Sequence, residues 1–214
     1  MKRICALVPA FILMACQDSD LYKVGTVLIA SATGDPEKIP RDRAAAIPYA
    51  SMGLELGTTP ELLLVLGTNT AGDLDWFAGD QLFVRTRNGR ITRTVGLPYD
   101  LGGLREVTTP NAAVVGGIPA AAQYSLDFPD LGVFGATSQC TRRSMAEETI
   151  SILGSAIPAV HIVDHCTVPA MRWNFDNDYW IDKGSGYVWR SSQHIHPKSP
   201  PVVLEVFRPE QNPG

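Results

Sequence analysis

Gln81-Leu82-Phe83-Val84-Arg85-Thr86-Arg87-Asn88-Gly89-Arg90-Ile91-Thr92-Arg93-Thr94-Val95 reads as two strands that reverse at Asn88-Gly89. A type I′ turn needs positive φ at both central residues, which asparagine tolerates and glycine adopts freely, so Asn-Gly between alternating apolar residues marks a hairpin. With a two-residue loop, Arg87 faces Arg90, Thr86 faces Ile91, Arg85 faces Thr92 and Val84 faces Arg93. One face then carries Leu82, Val84, Thr86, Ile91 and Val95 and is expected in the core. The other carries Arg85, Arg87, Arg90, Thr92 and Thr94 beside Phe83.

The same pattern continues on both sides of this hairpin. Met52, Leu54 and Leu56 alternate with Ser51, Gly53 and Glu55; a turn over residues 57–60 and an apolar run over residues 61–66 complete a strand pair. Further strands are expected over residues 121–127, 133–140, 147–153, 159–168, 171–175, 179–182, 187–193 and 202–207. Asp127-Phe128-Pro129-Asp130, Gly154-Ser155, Asp176-Asn177-Asp178 and Lys183-Gly184-Ser185-Gly186 separate most of them. Glycine and proline together make 35 of 214 residues, as repeated strand reversal demands. The fold class expected is mainly β, an antiparallel β-barrel or barrel-like sandwich. Ser144-Met145-Ala146-Glu147 offers a capping box and hence a competing helix start. A short N-terminal helix is expected from about Leu21, where Leu21, Val24, Val27 and Leu28 recur at helical spacing, and residues 31–43 read as a loop.

The amino terminus has a different character. Lys2 and Arg3 precede a twelve-residue apolar run, Ile4 to Ala15, and Leu13-Met14-Ala15-Cys16 stands where a lipoprotein signal peptidase cuts. The run is too short to span a bilayer. Residues 1–15 are therefore expected to be a signal peptide, Cys16 the acylated residue, residues 16–22 a tether and residues 23–214 one β-rich domain. Several acyl chains give stable anchoring. Met14 departs from the small residue usual two places before the cysteine. Gln17, rather than aspartate, after the cysteine suits passage to the outer membrane, with the domain facing the periplasm.

Without Lys2 and Arg3, 16 basic side chains face 22 acidic ones, a net charge of −6. That balance argues against nucleic acid as a partner. With Cys5 removed and Cys16 acylated, Cys140 and Cys166 remain together in an oxidising compartment, and they are symmetric about residue 153, beside the turn at Gly154. A disulfide between facing strands is expected.

No catalytic motif emerges. His161 and His165, on a strand, stand roughly 13 Å apart, too far to share an ion. His194 and His196 read as an exposed pair near a turn. Asp176, Asn177 and Asp178 lack the glycine and terminal glutamate of a calcium loop. No serine has a nucleophile-elbow setting and no glycine-rich phosphate loop occurs. Neither metal nor cofactor is expected. The acidic side chains leave open a glycosidase pair formed only in the fold. Two clusters could bind a ligand: Arg85, Arg87, Arg90 and Arg93, and the aromatics Trp173, Phe175, Tyr179, Trp180, Tyr187 and Trp189. Guanidinium groups grip carboxylates and aromatic faces stack on sugars, which together would suit an acidic polysaccharide. The alternative is a solvated hairpin face and barrel core.

Several strings occur together in order: Ile47-Pro48-Tyr49-Ala50-Ser51; Trp76, Asp80 and Leu82-Phe83-Val84; Asn88-Gly89-Arg90-Ile91 with Thr94 and Gly96-Leu97; Tyr179-Trp180-Ile181-Asp182; Gly186-Tyr187-Val188-Trp189-Arg190-Ser191 with Gln193 and Pro197; and Val206-Phe207-Arg208-Pro209. In these the chain resembles the YjbF/GfcB family of lipoproteins. The resemblance implies a β-barrel-like periplasmic lipoprotein of exopolysaccharide or group 4 capsule secretion, with other secretion proteins, including an outer-membrane β-barrel, as partners. It implies no catalytic residue. It directs attention to the Gly-Arg hairpin and to Trp180, Trp189 and Gln193 as candidate glycan or partner contacts. Three roles follow as expectations: a non-enzymatic export or assembly factor, a polysaccharide-modifying hydrolase, or a structural lipoprotein that stabilises an outer-membrane barrel.

Overall fold

The computed structural model describes residues 38–108 and 113–210. The helix expected near Leu21 and the acylated Cys16 lie outside the described residues. Within the segment read as a loop, the structure has instead a single helical turn, α1 (Arg41–Ala45), which buries Ala44.

Fourteen strands follow: β1 (Ser51–Leu56), β2 (Leu62–Thr70), β3 (Asp73–Ala78), β4 (Leu82–Arg87), β5 (Arg90–Val95), β6 (Gly103–Thr108), β7 (Val114–Val115), β8 (Ile118–Pro119), β9 (Ala121–Phe128), β10 (Val133–Ile152), β11 (Ser155–Val168), β12 (Trp173–Asp182), β13 (Val188–Gln193) and β14 (Val202–Arg208). Twelve form one antiparallel sheet in the order β5-β4-β3-β2-β1-β14-β13-β12-β11-β10-β9-β6, while β7 and β8 make a small hairpin. The sheet curls into a nearly closed barrel. Its end strands approach where the Thr94 amide donates to the Leu101 carbonyl at 2.9 Å.

Asn88 and Gly89 adopt φ of 49° and 72°, and Arg87 faces Arg90 and Thr86 faces Ile91. Beyond that the expected register fails. A bulge between Arg85 and Thr86 puts Arg85 opposite Arg93 and Val84 opposite Thr94, so the side chains after Thr92 exchange faces. Thr94 is 1% exposed and Val95 44%, the reverse of expectation. The inward threonine is satisfied: its hydroxyl donates to Asp100 at 2.8 Å and accepts from the Leu101 amide at 2.9 Å. Buried Thr86 likewise accepts the Trp76 indole N–H at 3.0 Å.

The two strands expected over residues 133–140 and 147–153 are one, β10, so the capping box at Ser144 is not used as a helix start. Pairing with β11 runs from Gln139 to Ile152, through the capping-box residues, and occupies more backbone groups than a local cap can. The β10–β11 hairpin turns at Leu153 and Gly154, both at positive φ. Cys140 faces Cys166 in register and the two form a disulfide.

The main core runs through the barrel from Met52, Leu54, Leu64, Trp76, Val84 and Ile91 to Phe128, Val168, Val202 and Leu204. β1 is buried on both faces, not alternately, because Lys38 and Ile39 cross its outer side: Lys38 pairs with Glu55 and the Ile39 amide donates to Glu61 at 2.8 Å.

Candidate functional site

The residues singled out by sequence divide among four environments. Arg90 is 6% exposed, contrary to the solvated face expected of it. Its Nη2 donates to Asp164 at 2.8 Å, and its guanidinium lies 4.6 Å from the Tyr124 ring and 5.1 Å from the Tyr179 ring. Burial opposes the Arg90 charge, but Tyr179, Tyr124 and Asp164 hold its pKa above the usual arginine value. Burial also pushes the Tyr179 hydroxyl above its ordinary range. Among the described residues, Asp164 Oδ1 has no hydrogen-bond partner.

Gln193 is likewise an internal bracket. Its Oε1 accepts the Ile91 amide at 2.9 Å and its Nε2 donates to the Gly89 carbonyl and the Ser191 hydroxyl, each at 2.8 Å. It thereby ties β13 to the end strand β5. Trp180 stands apart on the outer surface, stacked on His161 at 4.5 Å with the Arg190 guanidinium 5.6 Å from its ring.

Arg85 and Arg87 keep their exposed face but are matched across the sheet. Arg85 donates to Asp75 at 2.6 and 2.9 Å, and Arg87 to Asp73 at 2.6 Å. Hydrogen bonds from these arginines hold Asp73 and Asp75 below the usual carboxylate range. Arg85, Arg87 and Asp73 line, with Arg93, Arg105 and Tyr124, a recess of about 470 Å³. Arg105 pairs with Asp127 at 3.1 Å. Arg85, Arg87, Arg90 and Arg105 are thus each paired with a carboxylate, and the positive field of the cluster is largely cancelled.

The larger cleft, about 800 Å³, lies across the hairpin tip. Trp76, Asn88, Gly89, Gly117, Tyr187, Trp189, Arg190 and Glu210 are among its lining. Local structure aims Trp189 here. Between Trp180–Arg190 and Ile181–Val188 the β12–β13 ladder carries a bulge, which makes Trp189 the extra residue and redirects its side chain. The preceding turn is fixed by Asp182, which accepts the Ser185 amide and hydroxyl and the Gly184 amide. Bonds from Ser185 keep its carboxyl below the usual range. Tyr187 meets Trp189 edge-on at 5.1 Å and its hydroxyl donates to Glu210 at 3.3 Å. Burial drives the Tyr187 hydroxyl upward, out of the titrating range. Gly89 forms part of the wall because a Cβ there would come within 2.4 Å of Val188. The cleft has the size of a ligand site and presents aromatic side chains beside polar groups. Tyr187 and Trp189 belong to the aromatic cluster named from the sequence as a possible ligand contact; Glu210 was not singled out, and no sequence cue pointed to it.

His161 and His165 lie on β11 as expected, whereas His194 and His196 are not an exposed pair. His196 is 0% exposed, stacked on Tyr99 at 5.0 Å and bonded to Asp130 at 3.2 Å. His194 is half-buried and bonded to the Asp176 carbonyl. His161 and His165 pair with Asp178 and Asp176 at 2.7 and 2.6 Å. Cys140, Asp164 and Cys166 bring metal-ligand atoms together, but both sulfurs are spent in the disulfide.

A recess of about 620 Å³ on the outer face collects Glu55, Glu61 and Glu205. Lys38 Nζ pairs with all three, and Arg190 with Glu205 at 2.5 Å. Burial raises the Glu61 pKa above the carboxylate norm. This is an ion cluster whose centre is held by an ammonium group.

Comparison with known proteins agrees with this architecture. The model of the YjbF family, described as "Group 4 capsule polysaccharide lipoprotein gfcB, YjbF", matches residues 23–207. The chain is 25% identical over 219 residues to the uncharacterized lipoprotein YjbF of Escherichia coli K12, covering 97% of this chain and 98% of that one. It is 24% identical over 206 residues to the uncharacterized lipoprotein GfcB of the same organism, covering 94% and 95%. The crystal structure of the hypothetical lipoprotein YmcC from E. coli superposes with a TM-score of 0.67 at 20% identity, over 92% of this chain and all of that one. With a barrel-like antiparallel sheet and a family match across the described residues, the chain belongs to the YjbF family of group 4 capsule lipoproteins.

Proposed function

We propose that this lipoprotein is an accessory factor for export or assembly of a capsule-type polysaccharide, anchored through Cys16 to the outer membrane with its barrel facing the periplasm. It works by contact, without a reaction centre, and holds a short stretch of glycan in the cleft between the hairpin tip and β13. The observation that carries this reading is the bulge that turns Trp189 into an 800 Å³ cleft beside Tyr187. Sugar rings stack on aromatic faces, which Trp189 and Tyr187 can supply, and Glu210, Arg190 and Asn88 bring hydrogen-bonding groups around them. The cleft and the arginine recess share Asn88 and Gly117, so a longer chain can pass from one to the other. Because the arginines are already paired, stacking rather than charge supplies the grip.

A hydrolase would need a carboxyl pair open to substrate. Glu55, Glu61 and Glu205 are gathered in a recess, but Lys38 stands among them. The test is genetic and chemical together. Deletion of the gene under capsule-producing conditions is expected to lower surface polysaccharide, and Trp189→Ala is expected to behave as the deletion. Purified protein incubated with the polymer is expected to release no new reducing ends. Unchanged surface polysaccharide in the deletion strain, or steady turnover by the purified protein, rejects the proposal.

A further inference from the structure

The distal half of β10 has an unpaired edge. β10 pairs with β11 from Gln139 to Ile152, whereas its pairing with β9 ends at Thr141 opposite Ala121. The Arg142 amide donates to the Ala120 carbonyl, and from residue 143 to 149 no described strand lies alongside. All seven of these residues are exposed, with Met145 at 56%. An open strand edge is a template for pairing with another chain.

The sequence of this edge, Arg142-Arg143-Ser144-Met145-Ala146-Glu147-Glu148, is complementary in charge to its own reverse about Met145. We propose that two copies of this lipoprotein associate through it, antiparallel, about a twofold axis at Met145. Arg143 of each then faces Glu147 of the other, Arg142 approaches Glu148, and Met145 meets Met145. Directly opposed residues in a sheet share a face, so a twofold axis normal to the sheet must pass beside a residue that opposes itself. Centring on Ser144 requires the edge of Cys140 and Thr141, which β9 occupies. Centring on Ala146 breaks both charge pairs, and centring on Glu147 sets like charges face to face. Met145 is the register that charge and space both allow.

The present partners of these groups do not prevent it. Arg143–Asp176 and Glu147–Lys183 are exposed ion pairs, which hold little energy. Arg142 and Glu148 are more engaged, Arg142 with Nη2 on the Ala113 and Ile118 carbonyls and Glu148 accepting the Trp180 indole N–H, so Arg143 and Glu147 set the register. Arg143 is the extra residue of the bulge between Arg142 and Ser144, so the pairable segment ends there and Arg143 meets Glu147 as its terminal contact.

Two measurements on the processed, lipid-bearing protein test this. Met145→Cys introduces a thiol in a protein whose Cys140 and Cys166 are already joined; mild oxidation of membranes is expected to give a disulfide-linked dimer, since opposed residues lie within disulfide range. In detergent, sedimentation equilibrium is expected to show a reversible dimer. Arg143→Glu should weaken association about tenfold or more through two symmetric like-charge contacts, Glu147→Arg should do the same, and the double exchange should restore it. The substituted residues are exposed, and circular dichroism checks that the fold is kept. A wild-type monomer throughout, a dimer that Met145→Cys does not link, or a double exchange no better than the singles overturns the proposal.

Discussion

Replacing Asp164 by Asn isolates the contribution of the buried ion pair that the arginine-rich hairpin sends into the barrel. The substitution keeps the side-chain volume and one acceptor for Arg90 Nη2, now at 2.8 Å from a carboxylate oxygen, but removes the negative charge. Breaking one side of a buried pair costs about 3–5 kcal/mol, because the remaining charge is left uncompensated. The Tyr124 and Tyr179 rings on Arg90 recover part of this through cation–π attraction, up to about 2 kcal/mol. The expected loss is therefore about 3 kcal/mol at neutral pH. In urea, where stability falls by about 1–3 kcal/mol per molar, the midpoint moves down by at least about 1 M. The paired change Arg90→Met with Asp164→Leu removes both charges and is expected to recover most of the loss, since well-packed apolar replacements of buried pairs are often neutral. A double-mutant cycle by urea unfolding reads the coupling directly. A loss under about 1 kcal/mol for Asp164→Asn, or additive losses in the double variant, would refute the buried-pair reasoning.

Three further outcomes are expected. Cys140→Ala with Cys166→Ala removes a cross-link spanning 26 positions and should cost about 3 kcal/mol in thermal or urea unfolding; no change would mean the hairpin register alone confines the chain. Burial lowers the His196 pKa below 6.5 against the pull of Asp130. The unfolded chain therefore binds a proton first as pH falls, so stability is full above pH 6.5 and declines below it toward the folded value; His196→Phe should flatten that segment of the pH–stability curve, and an unaltered slope would contradict the assignment. Gly89→Ala places a side chain at φ 72° and 2.4 Å from Val188, and should cost about 1–3 kcal/mol while narrowing the cleft; a variant as stable as wild type would show that the turn relaxes freely.

What could be read from the residues was local chemistry. Asn88-Gly89 fixes its own turn, and symmetry about the Leu153-Gly154 turn sets Cys140 against Cys166, so both features followed from short stretches. Arg90 was misread because its partner Asp164 lies 74 positions away, and no local pattern distinguishes a solvated arginine from a paired one. Thr94 changed face for the same reason: Asp100 and Leu101 draw it inward through a bulge that hairpin alternation does not announce. The cleft was only partly legible. Trp189 stood out as an aromatic, but its direction depends on the bulge between β12 and β13, and Glu210 joins it from the end of the described chain. His196 looked exposed beside Pro197, yet Tyr99, Phe128 and Asp130 converge on it from distant segments.

Equilibrium binding of defined capsule oligosaccharides to the purified lipoprotein, followed by tryptophan fluorescence and calorimetry, bears most directly on the claim that it acts by holding glycan in its cleft. The expected result is saturable binding that is lost in Trp189→Ala, kept in Arg87→Ala and little changed by salt, because Arg85 and Arg87 already face Asp75 and Asp73. Binding that survives Trp189→Ala but falls steeply with ionic strength would contradict it and return the arginine recess as the site.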